Sequence, residues 1–491
     1  MKNIKFIIGT SLASNSNLQL IVNQFTKENN IFWLKEGHDT FNSVNGGRLI
    51  NSLNEINDTE SIFISVVSPE TQLEHEGSIK VLRIYERMEC GWNSDSRSVV
   101  VDDLSQIAKL LDMNKYPGMS QLLSYYGNTA EEFEALILDQ YKDALEAIKN
   151  AKGVAVFNAQ RLGEFVAKSL QTSGVNVLTF IDNGSSKHGT IVSDIPVIPL
   201  DALTDKETPI IIATTRFSKS IAEQLKANGF NNYLPYPVLS LIDSELYPHE
   251  IPYIDIQEDF ALNIPRHLGV FLCLVDDKSR EVHDGLIQYR LKYDAAYADE
   301  VADQYDRQYF DEKLISFSKD DIFVDLGGYD GDTVEKYIQF GDSVYKKIYL
   351  FEPDRTILDR AKVRLKRFNN IVYIPTGAYS KDGDLRFSAS GRTNGFFSEI
   401  GDLIIPVQKL DSVVKEGPAL IKMDIEGSEK DALIGASDTI RRVKPKLAIA
   451  AYHFATDLWR LVDVIREINP SYKFYLRHYS ETGLESVIYA V

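Results

Sequence analysis

Hydrophobic positions in the last third of this chain form short, almost unbroken runs, separated by stretches with helical spacing. Runs at residues 322–324, 347–351, 370–378, 419–423 and 446–451 read as buried parallel strands. Two more, at 472–479 and 485–490, are joined by only Ser480–Leu484, which is too short for a crossover and predicts an antiparallel hairpin. Between the fourth and fifth runs, Leu433, Ile434, Ala436 and Ile440 recur on one face of a helix over residues 428–443. The pattern predicts an α/β fold whose C-terminal part is a seven-stranded Rossmann-like sheet, closed by an antiparallel hairpin.

A second unit of the same kind precedes it. Residues 153–157, 176–181 and 209–213 read as strands, a turn at 158–163 leads into a helix from Glu164, and residues 232–235 close the unit. The segment Phe180-Ile181-Asp182-Asn183, followed by Gly189 and Ile195-Pro196-Val197, resembles Rossmann-like domains of sugar-nucleotide-modifying proteins. Asp182 falls at the ribose position, but Asn158 and Gln160 stand where the dinucleotide fingerprint has glycines. The unit is therefore expected to bind a nucleotide-linked sugar or to serve as scaffold, and NAD binding is disfavoured. Towards the N-terminus, residues 4–9, 30–34 and 61–67 read as strands, with helical spacing between the first two, and residues 131–149 as an amphipathic helix. Gly46-Gly47 reads as an ordinary loop, and no defensible chemistry emerges from this region. The expected organisation is an N-terminal α/β region (1–127), a Rossmann-like domain (128–247), a linker and helical lead-in (248–307) marked by Pro248, Pro252 and Pro265, and a catalytic domain (308–491).

Candidate chemistry concentrates at the carboxyl ends of the C-terminal strands, where ligands bind in open α/β sheets. After the first strand comes Asp325-Leu-Gly327-Gly328-Tyr-Asp330-Gly331-Asp332-Thr333. The glycines allow close approach of backbone and ligand. Three carboxylates in that turn oppose a pyrophosphate, since unit charges 4 Å apart interact by roughly 4 kcal/mol at an effective dielectric near 20. They suit the ammonium and sulfonium of S-adenosylmethionine. Glu352, 27 residues after Asp325 at the end of the second strand, is placed to take ribose hydroxyls. Ala378, Asp424, Glu426 and His453 end the following strands. His453 suits a general base, with an ordinary pKa near 6.5; the bland reading is a polar cap packed on Tyr452. Asp424 and Glu426 suit positioning of a hydroxyl, and also Mg²⁺, although two carboxylates on one turn are a thin metal signature and no metal is expected.

The runs VDLGGYDGDT, FEPD and LDSVVKEGPALIKMDIEGSEKDALIGA, with a fifth strand ending AAYH, resemble the FkbM family of S-adenosylmethionine-dependent methyltransferases. The resemblance covers about Gln308 to Val491, with Gln308-Tyr309-Phe310-Asp311 as a familiar lead-in. It implies S-adenosyl-L-methionine bound by Asp325, Gly327, Gly328, Gly331, Asp332, Glu352 and Ala378. It also implies O-methylation of a sugar or glycan acceptor, free or nucleotide-linked, in bacterial surface glycan or sugar-nucleotide biosynthesis. Many relatives carry Glu before the strand-five histidine, where this chain has Ala450-Ala451-Tyr452-His453. The rival expectation is a non-catalytic sugar-nucleotide-binding or scaffold protein that retains a transferase fold.

Composition bounds the remainder. A length of 491 residues suits two to four domains, and no run of 18 apolar residues is present to span a bilayer. A net charge of −18 disfavours nucleic acid. The N-terminus lacks a signal-peptide core, and only two cysteines, Cys90 and Cys273, point to a reducing cytoplasm. Self-association into a homo-oligomer is compatible with this composition.

Overall fold

The computed structural model describes residues 115–491 except 215–216, 250–252, 389–395 and 398–402, together with the backbone of six earlier strands. Those six, Ile4–Gly9, Ile31–Leu34, Arg48–Ile50, Ile62–Val66, Lys80–Glu86 and Ser98–Val101, form one parallel sheet in the order third, second, first, fourth, fifth, sixth. Three of them match the expected runs. The helical spacing expected between the first two, and Gly46-Gly47, lie outside the described residues.

The middle sheet runs Tyr233–Pro235, Ile210–Ile212, Val154–Phe157, Val177–Ile181, Ile195–Ile198, Ile191–Val192, parallel except for the last, antiparallel edge strand. Helix Arg161–Thr172 starts three residues earlier than Glu164. Gly163 lies in its first turn because a Cβ there would stand 1.8 Å from the Asn158 carbonyl oxygen. The amphipathic run at 131–149 is two helices, Ala130–Gln140 and Lys142–Asn150, and Thr129 and Glu132 cap the first reciprocally. Pro265, read as a boundary marker, instead sits inside helix Ile256–Cys273. Asn263 is non-helical there, so the proline occupies the first turn after a kink, where its missing N–H costs nothing.

In the C-terminal part all seven expected strands are present: β1 (Ile322–Leu326), β2 (Lys347–Phe351), β3 (Ile371–Ile374), β4 (Leu420–Met423), β5 (Lys446–Ala450), β6 (Phe474–His478) and β7 (Ser486–Ala490). Their order is β3-β2-β1-β4-β5-β7-β6, with β7 antiparallel to both neighbours. The chain reverses its build direction between β1 and β4, which opens a crevice at their carboxyl ends. Residues 428–443 form two helices, Glu429–Gly435 and Ser437–Val443, broken at Ala436.

One element departs from the pattern. Strand three ends at Ile374, not at residue 378, because Pro375 has no N–H to continue the ladder. Gly377–Ala378 instead joins Leu403–Gln408 in a small second sheet with Gly383–Ser388 and Phe396–Phe397. Ala378 is buried in the same apolar cluster as Leu326, Phe351 and Met423.

Candidate active site

The glycine turn after β1 is fixed by packing that tolerates no side chain. Gly327 has φ +80°, and a Cβ on it would stand 1.9 Å from the Asp424 carbonyl oxygen. A Cβ on Gly328 would meet Leu350 at 2.4 Å. Gly331, with φ +85°, precedes helix Asp332–Phe340 and faces Leu365. Both Gly327 and Gly328 donate their N–H to the Phe351 carbonyl, at 3.1 and 2.9 Å, so the turn is tied to the end of β2.

The acids of this turn do not all face a ligand. Asp325 and Lys422 are register partners across β1 and β4, and both side chains are buried. Lys422 Nζ lies 3.0 Å from Asp325 Oδ1 and donates to the Gly327 carbonyl at 2.7 Å. Burial pushes the Asp325 carboxyl up to about 6 even against that ammonium. Asp330 pairs with Arg364 at 2.6 Å on the outer side of the turn. The expected welcome of a sulfonium by three loop carboxylates is therefore corrected: cations within the chain engage two of them. Asp332 opens the helix with its carboxylate accepting the Thr333 N–H at 2.7 Å. Glu352 follows β2 as expected; it is buried, accepts the Asp354 N–H at 2.9 Å, and burial raises its carboxyl. Ala378 is displaced from this edge into the small sheet.

At the ends of β4 and β5 the structure gathers Asp424, Glu426 and His453, as the sequence predicts. Tyr309 donates to Asp424 Oδ2 at 2.8 Å and Tyr452 to Oδ1 at 3.1 Å. Burial opposes ionisation of Asp424, but Lys422, His453 and the two phenols hold its carboxyl below the usual range. His453 Nε2 lies 3.5 Å from both Asp424 Oδ1 and Glu426 Oε2, and Nδ1 lies 3.2 Å from Glu429 Oε1. Burial opposes its charge, yet Glu429, Glu426 and Asp424 hold it well above the ordinary histidine range. The imidazole side chain is only 1% exposed, whereas Asp424 is 26% and Glu426 49% exposed. The carboxylates thus face the opening, and His453 stands behind them under the Tyr452 ring, whose centroid is 4.3 Å away. This corrects the expectation of an imidazole presented at the sheet edge.

Sequence reasoning missed Tyr309, Lys422, Tyr452 and Glu429 as parts of the site. Only Glu429 carried a usable signal, as the last acid of the Asp424–Glu429 signature. Its carboxylate is buried, Oε1 accepts the Ile425 N–H at 2.8 Å, and Oε2 has no hydrogen-bond partner. Asp424, Glu429 and His453 each bring one potential ligand atom within 4.8 Å of the other two, a donor set suited to a divalent cation.

The crevice of the middle sheet is built differently. Asn158, at φ +99°, spans it by donating Nδ2 to the Ala213 carbonyl at 2.9 Å. Asp182 is turned inward, accepting from the Ala159 N–H (3.0 Å), the Gly184 N–H (2.8 Å) and Lys187 Nζ (2.9 Å).

A doubly wound sheet with a glycine turn after β1, an acid after β2 and a carboxylate cluster after β4 has the architecture of a nucleotide-binding crevice in the C-terminal part. Residues 325–476 match the methyltransferase FkbM domain, so the chain carries an S-adenosylmethionine-dependent methyltransferase domain of that family. The crystal structure of methyltransferase FkbM from Methylobacillus flagellatus KT is similar in fold, with a TM-score of 0.61 and 24% identity, over 74% of this chain and 98% of that one. An rRNA methylase from Streptococcus thermophilus gives a TM-score of 0.25 at 15% identity, over 35% of this chain and 87% of that one. Among curated proteins, the ubiquitin-like modifier-activating enzyme ATG7 of Eremothecium gossypii is 30% identical over 145 residues, 30% of this chain and 21% of that protein. The chain thus spans about a fifth of the length of that relative. No helix among the described residues is long and apolar enough to cross a membrane.

Proposed function

We propose that this chain transfers a methyl group from S-adenosylmethionine to a sugar hydroxyl, in bacterial surface glycan or sugar-nucleotide biosynthesis in the cytoplasm. The observation that carries this reading is the pair of carboxylates at the opening, partly buried Asp424 and exposed Glu426, backed by a buried imidazole beside the donor turn. A hydroxyl is a poor nucleophile, so its oxygen needs a nearby proton acceptor while it attacks the methyl carbon. The C–O bond forms as the C–S bond breaks, the sulfonium becomes a neutral thioether, and the hydroxyl proton passes to the carboxylate cluster. Asp424 and Glu426 touch the acceptor in this reading. His453 is a positioning residue, holding both carboxylates through Nε2 and held itself by Glu429. On the donor side, Glu352 takes the ribose hydroxyls, while Gly327, Gly328, Gly331 and Asp332 line the close approach to the methionine portion.

A second reading of the same cluster has its own observation. The unpartnered Glu429 Oε2, with His453 and Asp424 close by, favours a divalent cation that would lower the hydroxyl's pKa in place of a base. One experiment tests the whole reading: incubation of the chain with methyl-labelled S-adenosylmethionine and a panel of glycans and sugar nucleotides, followed by mass spectrometry. A mass gain of one methyl on a sugar hydroxyl is expected. Transfer only to nitrogen or carbon acceptors would overturn the O-methyl assignment, and binding of both partners without transfer would favour a scaffold.

A further inference from the structure

Helices Ile256–Cys273 and Asp277–Lys292, expected as the lead-in, pack into the core of the catalytic sheet. Val270, Cys273, Val282 and Leu286 share an apolar cluster with Leu326, Met423 and Ile449, and the Val275 N–H donates to the Phe474 carbonyl of β6 at 3.0 Å. The loop that leaves β5 carries His453 and runs into helix Asp457–Ile468. We propose that Arg290, from the lead-in, is a positioning residue for the reaction: it fixes this loop through the Ala455 carbonyl, and thereby sets His453 and the two carboxylates that His453 holds. The inference rests on reading Asp424 and Glu426 as the acceptor side of the methyl transfer, and it makes the lead-in part of the catalytic unit.

The loop spans two cores. Ala451 lies in the apolar cluster of the catalytic sheet, whereas Ala455 lies in the other large cluster, with Phe260, Leu268 and Ile287 of the lead-in. His453 sits midway along that crossing. At its far side Arg290 Nη1 donates to the Ala455 carbonyl at 2.8 Å, across 165 positions of sequence. Asp457 braces the same stretch by accepting the Phe454 N–H at 2.8 Å. The helix beyond is tied to the lead-in as well: Trp459 Nε1 donates to Asp259 at 2.8 Å, and Arg266 Nη1 to Asp463 at 2.6 Å.

Packing alone does not account for an arginine at this place. Its side chain is buried in the last turn of helix Asp277–Lys292, where the carbonyl end of the helix favours a cation. Among the described residues no carboxylate pairs with it directly; burial disfavours its charge, and Asp259 and Asp457 offset this only from a distance. A buried charge is costly, and apolar side chains of similar volume hold a helix junction at least as well. What a guanidinium adds is direction, since its planar fork donates along a fixed line to the carbonyl oxygen.

Displacing that carbonyl displaces the site. His453 stands two residues before Ala455, and its Nε2 lies 3.5 Å from both Asp424 Oδ1 and Glu426 Oε2. A shift of about 1 Å at reacting groups, caused from outside the site, lowers turnover by about 10²-fold. The donor turn is held separately, by the Phe351 carbonyl and by Lys422, so donor affinity stays as it is.

The test uses the full chain carrying Arg290→Met, Arg290→Gln or Arg290→Lys, beside Val282→Ala, which thins the packing of the same helix about two turns away. Three quantities are read: hydrogen exchange of peptides covering residues 451–457, calorimetric affinity for S-adenosylhomocysteine, and methyl transfer to the panel of glycans and sugar nucleotides. In Arg290→Met and Arg290→Gln the loop should exchange about tenfold faster and kcat should fall by about 10- to 100-fold, with affinity for S-adenosylhomocysteine nearly unchanged. Arg290→Lys, which keeps a donor for the carbonyl, should recover part of both losses. Val282→Ala should lower the melting temperature and leave kcat nearly unchanged. Turnover that follows the melting temperature and not loop exchange, across whichever of these variants fold, would overturn the proposal. Loop exchange equal to wild type in the Arg290 variants would do the same, even for a chain that methylates no member of the panel and so ends the O-methyl reading. Asp424→Asn separates the two readings. Full turnover there removes the carboxylates from the reaction, whereas loss there with wild-type turnover in the Arg290 variants removes the positioning role alone.

Discussion

Replacing Lys422 by methionine tests how the donor turn is held. Lys422 is fully buried, its ammonium 3.0 Å from Asp325 and 2.7 Å from the Gly327 carbonyl. Removing it leaves Asp325 with no counter-ion in a site that already pushes its carboxyl up to about 6. The buried carboxyl then escapes by taking a proton. Neutralising an aspartate that ordinarily titrates near 3.9 costs about 3.1 × 1.36, or ~4 kcal/mol, at pH 7; wild type, held at about 6, already bears about 2.1 × 1.36, or ~3 kcal/mol, of that, so the variant loses a further ~1 kcal/mol. The sign of the pH dependence follows. A carboxyl whose folded pKa lies above its unfolded value makes the folded state gain stability as pH falls between the two. At pH 5 both chains hold Asp325 protonated at the same cost of about 1.1 × 1.36, or ~1.5 kcal/mol, so this part of the variant's loss should vanish on acidification. Hydrogen-exchange mass spectrometry on peptides covering β1 and β4 reads this locally, which matters because a chain with several domains need not unfold in one step. Adding Asp325→Asn to the variant should abolish the pH dependence. A Lys422→Met chain as stable as wild type at pH 7, or equally destabilised at pH 5 and 7, would refute the reasoning.

Other outcomes follow from the same geometry. Glu352→Ala should weaken S-adenosylmethionine binding by about 1.5–3 kcal/mol, the range for hydrogen bonds to a charged group, as read by calorimetry; unchanged affinity removes Glu352 from the donor site. His453→Ala, by releasing Asp424 and Glu426 from alignment, should lower turnover by about 10²-fold with donor affinity nearly unchanged, whereas loss of activity in EDTA and its return with Mg²⁺ would favour the cation reading. Asp276 lies beside Arg477, with 2.8 Å between Oδ2 and Nη2; despite burial, Arg477 and Ser279 hold its carboxyl down to about 2. That contribution is present above pH 4 and lost as pH falls towards 2, so Asp276→Asn should unfold more readily than wild type at neutral pH but lose this part of the acid sensitivity, by about 1–2 kcal/mol after allowing for solvent screening. NAD should not raise the melting temperature of the full chain, because the Asn158–Ala213 bridge crosses the middle crevice and Asp182 is engaged internally.

Much of the C-terminal fold was legible because strand signals are local. Short apolar runs such as 348–351 and 447–450 read as strands buried on both faces, and a five-residue link is too short for a crossover and makes a hairpin. The donor turn was legible for the same reason, since three glycines within five residues after a strand are a local requirement of the backbone. What a side chain meets across the sheet is not local. Asp325 looked like a loop anion, and only the β1–β4 register placed it beside Lys422, 97 positions away, inside the core. His453 looked like an edge residue until Tyr452, Asp424 and Glu426 closed over it. Ala378 left its strand because one proline cannot extend a ladder, and a second sheet was there to receive it. The sequence by itself determined which segments become strands and where the chain turns, since hydrophobic period and backbone sterics act over a few residues. Only the tertiary structure decided which charges are buried, paired or presented, because desolvation and Coulomb energy depend on neighbours that folding brings together from far along the chain.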